Sequence, residues 1–280
     1  MSDILQYTFM QNALIGAFWA SIICGIIGTL VVTNKMVFLA GGIAHSLYGG
    51  VGIAIFLGFP IIIGTAFFSV ACAIFLGIML LYAKERFDAL IGSLWAFGMA
   101  VGIILVELSP GYNKDFMGYL FGSILSITDN DIYSMIIFSG FLFCFVWLNY
   151  RIILGISYDS EFTHLQGINT KVFNILLMII IALGIVISMH SVGLILIIAL
   201  LSIPAYCSEV FTNSLAKMMI ASSCISFIAM IGGILIAYFY DFAAGASIVV
   251  VLCVLSFILI LGNYFYHKQF HFILEIKTQI

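Results

Sequence analysis

Apolar runs of about 20 residues, separated by short polar stretches, recur along the whole chain. Because about 20 helical residues span the ~30 Å hydrocarbon layer of a bilayer, each run predicts a transmembrane helix. Only "SMHSVG" separates the sixth run from the seventh, so one long bent helix there, giving eight spans, is the alternative to nine. The nine predicted segments are roughly 13–32, 39–58, 61–82, 88–106, 132–150, 173–189, 192–207, 217–240 and 246–265.

The composition agrees with this pattern. Hydrophobic residues make up 64% of the 280 residues, charged residues make up 8%, and the mean hydropathy is +1.28. A soluble domain carries about 25% charged residues, so this chain has too few to cover a water-exposed surface. The net charge of −3 and the lack of a basic cluster argue against a nucleic-acid partner. We therefore expect an all-α, polytopic helical membrane protein, with residues 1–280 forming one transmembrane domain in a lipid bilayer.

The positive charges predict how the chain is oriented. Cytoplasmic loops of membrane proteins are enriched in Lys and Arg. With nine spans, alternate loops hold every Lys and Arg except Lys114, whereas eight spans would break the alternation. The expected orientation has the N-terminus outside and a cytoplasmic tail at residues 266–280, in a bacterial-type plasma membrane. The residues that set it are Lys35, Lys84, Arg86, Arg151, Lys171, Lys217, Lys268 and Lys277.

Two loops are long enough to hold structure of their own. The outer loop, residues 107–131, contains "DFMGYLFGSILSIT", which is too apolar for a free loop and too short to span twice. A half-helix embedded against the protein is expected there. In the inner loop, residues 155–172, Asp159 or Ser160 can cap a short helix and Gly167 can close it. Such a compact cytoplasmic helix is typical of a docking element.

Motifs for several kinds of chemistry are missing. The sequence has no GxxxxGK[ST] phosphate loop, no His-Glu-x-x-His and no Gly-x-Ser-x-Gly, so neither ATP hydrolysis nor a common protease mechanism is indicated. Proton- and sodium-driven carriers place carboxylates in mid-membrane, whereas Glu107, Glu209 and Asp241 lie near segment ends. The chain is therefore expected to be no enzyme but a pathway that another protein drives.

The chain resembles the membrane permease subunits of ABC importers for zinc, manganese and iron. The similar motifs lie in the family's order between residues 34 and 251, and although each alone is weak, five in register are specific. They are "NKMVFLAGGIAHSLYGGVGIA", "DFMGYLFGSILSITDNDI", "SYDSEFTHLQGINTKVFN", "SVGLILIIALLSIPAYCSEVF" and "YDFAAGASIVVV".

The resemblance implies a type II ABC importer-like permease that works as a homodimer, with the ion path between its two copies. A separate cytoplasmic ATPase would dock on the inner helix, Asp159 to Gly167, and an extracytoplasmic metal-binding protein would deliver the ion. Glu161 and Gly167 match the family's coupling helix, while Ser160 replaces its usual proline and Gln166 its usual leucine. A transported divalent metal ion is implied, with no permanently bound cofactor.

His45 is the main candidate for the metal path. Gly41, His45 and Gly49 share one helix face at four-residue spacing, which leaves space for an ion beside an imidazole ligand. The alternative is a histidine hydrogen-bonded across a tight helix contact, with glycines that serve packing. The resemblance matches His45 to the family's path histidine but puts Gly41 where members generally have aspartate. Loss of that hard oxygen ligand favours zinc or iron over manganese.

The other candidates are weaker. His190, beside Met189, can add a second nitrogen ligand, or else it is an interfacial histidine. Glu107 and Asp241 can attract cations to the entrance, or else they are solvated loop acids. Pro204 breaks the helix ladder and can shape a gate, or else it makes a simple kink. A permease for a metal chelate such as haem, a siderophore or cobalamin remains an alternative, as does a stand-alone channel or secondary carrier.

Overall fold

The computed structural model describes residues 7–82, 86–109 and 124–278, and all their side chains except that of Leu125 and those of residues 264–278. The regular structure in these ranges is helical throughout, as predicted. The elements are α1 Thr8–Thr33, α2 Val37–Leu57, α3 Ile61–Tyr82, α4 Phe87–Glu107, a 3-10 turn Ile124–Ser126, α5 Asp129–Tyr158, α6 Ser160–Leu165, α7 Thr170–Val192, α8 Leu194–Phe211, α9 Leu215–Tyr240 and α10 Ala244–Thr278.

The described residues contain nine helices that are long and apolar enough to cross a membrane, which is every α-helix except α6. Gly193 divides the sixth of these spans from the seventh with φ 92° and ψ 160°. L side chains rarely adopt this positive φ, and the helical ladder cannot continue through it. The nine-span prediction is therefore confirmed, and the alternative of one long bent helix is wrong.

Helix α5 is longer than the predicted segment 132–150 because its packing continues beyond the apolar run. Its 30 residues extend for about 45 Å, whereas the hydrocarbon layer is about 30 Å thick. After Arg151 the helix still packs, because Ile153 and Ile156 are buried. The last turns of α5 therefore project toward α6 and support it. Helix α10 likewise continues from the predicted ninth span to Thr278.

Helices α1 and α2 form the centre of the molecule. In each, 72% of the most apolar 18 residues are buried, a larger share than in any other described span. Helix α1 packs against α5, α7, α8 and α9, whereas α2 packs mainly against α3, α4 and α7. The fold thus has two groups of helices with little direct contact between their central members, and α7 contacts both.

Small residues bring α2 and α4 into close contact. A Cβ atom on Gly52 of α2 would lie 2.7 Å from the Cα of Gly102, and one on Gly98 of α4 would lie 2.8 Å from the Cα of Ser46. No ordinary side chain fits at such distances, so the two backbones touch, as is common between membrane helices. This close contact determines how the neighbouring side chains of α2 and α4 lie relative to each other.

The predicted half-helix in the outer loop lies almost wholly outside the described residues. Only the loop's margins are described, up to Ser109 on one side and from Ile124 on the other. On the second margin, the Thr128 side chain and Asp131 form a capping box that begins α5.

Candidate functional site

His45 lies at middle depth in the bundle. It is the ninth of the 21 residues of α2, about 12 Å along the helix from its start. The side chain is half-buried, and its Nδ1 atom is buried with no hydrogen-bond partner. Among the described residues no hydrogen bond reaches the ring, so the cross-helix hydrogen bond of the packing alternative is not seen in this part of the chain. Because Nδ1 is enclosed by the protein, the other ring nitrogen, Nε2, is the one that is able to accept a metal ion.

Trp95 fixes the plane of the His45 ring. The two rings stack with centroids 4.1 Å apart and planes 10° from parallel. Trp95 is the ninth residue of α4, and its indole N–H donates to the Met99 sulfur at 2.9 Å, which holds the indole in turn. The sequence analysis missed Trp95 because only the close contact of α2 with α4 brings the two rings together.

The two glycines on the His45 face play different structural roles. A Cβ atom on Gly49 would lie 2.7 Å from the Phe68 ring, so Gly49 makes room for α3. A Cβ atom on Gly41 would meet nothing within 4 Å. Among the described residues, the space one turn before His45 is therefore open, and their packing does not require the absence of a side chain at Gly41.

The structure places His190 beside a carboxylate. Its Nε2 lies 3.6 Å from Asp131 Oδ1, and the two side chains are 30% and 16% exposed. His190 is near the end of α7 and Asp131 is in the first turn of α5. Nearby, the Asn12 side-chain amide donates to Asp129 at 3.0 Å, which links α1 to the same end of α5. Polar contacts thus join three helices at this end of the bundle.

His190 and His45 lie at different depths. His190 is the twenty-first residue of α7, about 30 Å along the helix from the end where α2 begins, whereas His45 is about 12 Å from that end. The described part of the chain contains no group of three or more His, Cys, Asp or Glu side chains that is able to hold a metal ion. A four-coordinate ion therefore needs ligands from beyond the described residues of one protomer.

The remaining path candidates lie at helix ends or inside α8. Glu107 is the exposed last residue of α4. Asp241 is exposed and caps α9 in the left-handed conformation, with φ 57°. Both occur at the end of the bundle that also holds His190. Pro204 is buried inside α8, and its carbonyl accepts a hydrogen bond from the Ser208 hydroxyl at 2.7 Å.

The opposite end of the bundle carries the short helix α6. The Asp159 side chain caps it by accepting the Phe162 N–H at 2.9 Å, and the Asp159 carbonyl accepts the buried Thr163 hydroxyl at 2.8 Å. After the helix, Gly167 has φ 87°, a conformation that favours glycine. These contacts hold α6 against the projecting end of α5.

Helix α6 carries two exposed apolar side chains; Phe162 lines a cavity on the side of α9, whereas Leu165 does not. Phe162 is 58% exposed and Leu165 is 83% exposed, at a spacing that places them on one face, while Glu161 is exposed beside them. A cavity of about 680 Å³ separates α6 from residues 213–215 at the start of α9, with Arg151 in its wall. The sequence analysis missed Phe162 and Leu165, although apolar residues three apart on a short polar helix were the available signal.

Comparison with known proteins shows which family has this arrangement. The profile of the ABC 3 transport family matches residues 6–263. An uncharacterized membrane protein of Synechocystis is 36% identical over 90% of this chain and 89% of its own length. The manganese transport system membrane protein MntC of Listeria monocytogenes is 30% identical over 92% of each chain. Among solved structures, PsaBC from Streptococcus pneumoniae in complex with Fab matches with a TM-score of 0.82 and 30% identity, covering 92% of this chain and 93% of the other. The chain therefore belongs to the ABC 3 transport family and is a membrane permease of the metal-ion ABC transporter type.

Proposed function

We propose that the permease imports a divalent transition-metal ion, driven by ATP hydrolysis on a separate cytoplasmic subunit. The observation that carries the proposal is His45, a stacked imidazole at middle depth with a buried nitrogen that lacks a hydrogen bond. Ionisable side chains inside a membrane bundle are costly, and they usually serve function. The open space at Gly41 provides room for an ion beside the ring.

A homodimer supplies the ligands that one protomer lacks. Two-fold symmetry places identical residues opposite each other, so two copies of His45 can meet across the axis. Helices α2 and α4 are the proposed walls of the path, because they present His45 and Trp95. Two imidazole nitrogens still leave coordination positions for water or other groups, which suits a site that must release its ion.

Two lines of support bear on the identity of the ion. MntC, the Listeria relative, is named for manganese transport. In this chain Gly41 provides no carboxylate next to His45, and an imidazole-only donor set favours zinc or iron. The proposed cargo is a divalent first-row ion, and competition among zinc, iron and manganese in uptake assays identifies which one.

The proposed docking site for the ATPase is the exposed face of α6. Phe162 and Leu165 supply apolar contacts and Glu161 supplies a charge. The positive-inside pattern places α6 and the C-terminus in the cytoplasm and the N-terminus outside, in a bacterial-type plasma membrane. The opposite end, with Glu107, Asp241 and His190, then faces the extracytoplasmic metal-binding protein that delivers the ion.

The distribution of acids favours an ATP-driven permease over a secondary carrier. Within the nine described spans, with α10 counted only to Asn263, every Asp and Glu lies in the first or last three residues of its span. Carriers coupled to protons or sodium usually hold carboxylates at middle depth. No such group is available in these helices to bind a coupling ion.

Uptake by reconstituted vesicles tests the proposal. With the partner ATPase and ATP, the wild-type protein should accumulate zinc, iron or manganese, and His45→Ala should lower the rate by about tenfold or more, because even outer-shell partners of metal ligands are worth that much. His271→Ala, in the predicted cytoplasmic tail and outside α6, is the control for general loss of imidazole. Normal transport by His45→Ala would contradict the assignment of the path to α2.

A further inference from the structure

A long apolar groove lies between α1, α5 and α9, on helices that do not carry His45. Its volume is about 530 Å³, and it extends along α9 from Ala216 to Phe227, about 17 Å. That length is close to one leaflet of the ~30 Å hydrocarbon layer. The groove walls include Phe18, Ile22, Ile26, Phe143, Trp147 and Ile220.

The polar groups in the groove are already hydrogen-bonded within the protein. The Ser21 hydroxyl donates to the Phe18 carbonyl at 2.7 Å, and the Ser223 hydroxyl donates to the Met219 carbonyl at 2.9 Å. At one end the Tyr150 hydroxyl accepts the N–H of Ala216 at 3.2 Å. The groove therefore offers hydrocarbon along its length and has no polar group that calls for a polar ligand.

Two cations flank the Tyr150 end of the groove. Arg151 follows Trp147 by four residues on α5, and Lys217 precedes Ile220 by three residues on α9, so each continues a helix face that lines the groove. Both are exposed, and neither forms an ion pair with any described residue. Asp159 lines the adjacent cavity with Arg151, but its carboxylate caps α6. Two basic residues thus adjoin one end of the apolar groove.

We propose that this groove binds an anionic phospholipid from the leaflet on the α6 side. One acyl chain lies along the groove, and the phosphate lies between Arg151 and Lys217. Anionic headgroups attract basic residues at a membrane surface, and long cationic side chains extend to the interface. The exposed aromatic rings of Phe143 and Trp147 then contact lipid rather than water.

A second copy of the chain fits the groove less well. A two-fold axis that passed through the groove would set its concave surface against the same concave surface of a second copy. The same symmetry would bring Arg151 and Lys217 toward the equivalent cations. A phospholipid instead supplies both a narrow acyl chain for the groove and a negative charge for the two cations.

Fluorescence of Trp147 tests the site in the full-length protein. Trp19→Phe and Trp95→Phe leave Trp147 as the single tryptophan of the chain's three. The protein is reconstituted in phosphatidylcholine vesicles that contain a small fraction of brominated phosphatidylglycerol or, in parallel, brominated phosphatidylcholine. The brominated anionic lipid should quench Trp147 at lower mole fractions than the brominated zwitterionic lipid. Each cation contributes about fivefold to this preference, or roughly 25-fold together.

Charge variants separate the outcomes. Lys217→Gln should reduce the anionic preference about fivefold and Arg151→Gln with Lys217→Gln should abolish it. Lys171→Gln removes an exposed cation at the start of α7 that does not line the groove, and it should leave the preference unchanged. Equal quenching by the two lipids in the otherwise unaltered chain, or an equal loss with Lys171→Gln, would overturn the proposal. Absence of quenching by either lipid would also overturn it and would point to a second copy covering the groove.

Discussion

At the scale of single residues, the surroundings of His45 explain why an imidazole is placed at middle depth. Trp95 covers one face of the ring and Met99 holds the indole, so the imidazole has one orientation. The open position at Gly41 is on the same helix face. If His45 binds the ion as proposed, a ring that is fixed beforehand loses little freedom on binding, and one nitrogen from each protomer would hold the ion loosely.

The open position allows a direct test of ion selectivity. Gly41→Asp places a carboxylate one turn from His45, and no described residue lies within 4 Å of the new Cβ atom. The hard oxygen ligand should raise manganese uptake relative to zinc by about tenfold, the equivalent of ~1.4 kcal/mol in binding. The measurement is competition of the two ions for uptake by vesicles that contain the ATPase.

Gly41→Asn is the matched control for this variant. The amide adds a side chain of the same size with an uncharged oxygen, so the manganese preference should rise less than with the aspartate. Unaltered selectivity in Gly41→Asp would mean that the cargo does not pass within reach of residue 41.

The sequence was sufficient to single out His45 but not its neighbours. A histidine in a glycine-rich apolar run can be recognised from the sequence alone. Its stacking on Trp95 depends on the contact of α2 with α4, which Gly52, Gly98 and Gly102 make possible. Helical spacing also grouped Gly41 with Gly49, although only the structure separates the open position from the one that Phe68 fills.

At the scale of elements, α6 is a small helix whose stability comes from its ends. Asp159 begins it, Gly167 ends it, and the buried Thr163 attaches it to α5. The residues left exposed are therefore free to serve a partner. Its length and position were predictable from cap and glycine signals, whereas the continuation of α5 to Tyr158 depended on packing beyond the membrane-length run.

The exposed face of α6 gives the second test. Leu165→Asn should weaken binding of the ATPase by about tenfold or more, because burial of a leucine side chain contributes about 1.5–3 kcal/mol. Glu161→Lys should abolish stimulation of ATP hydrolysis by the permease. Both are measured with purified permease and ATPase, as binding and as hydrolysis rate.

Val172→Asn provides the control for Leu165→Asn. Val172 is 61% exposed near the same end of the bundle but belongs to α7. ATPase binding should be normal in this variant, and dimer assembly should be normal in all three. If Leu165→Asn and Glu161→Lys both leave binding and stimulation intact, the ATPase docks elsewhere.

At the scale of the whole molecule, the helices form two groups, one around α1 and one around α2. Helices α1 and α2 themselves make few direct contacts with each other. Helix α7 contacts both groups and joins them. The hydrophobic runs predicted the number of described spans correctly, because whether a run can cross the membrane depends only on its own length and composition. They could not predict which helices pack together, because nearly every face of an intramembrane helix is apolar.

The proposed source of energy for transport is ATP hydrolysis by the partner subunit. In vesicles that hold the permease alone, a proton or sodium gradient should produce no uphill uptake of zinc, iron or manganese. Addition of the ATPase with the metal-binding protein, and of ATP on the α6 side, should start uptake that stops when ATP is consumed. Uphill uptake by the permease alone under either gradient would contradict the central claim.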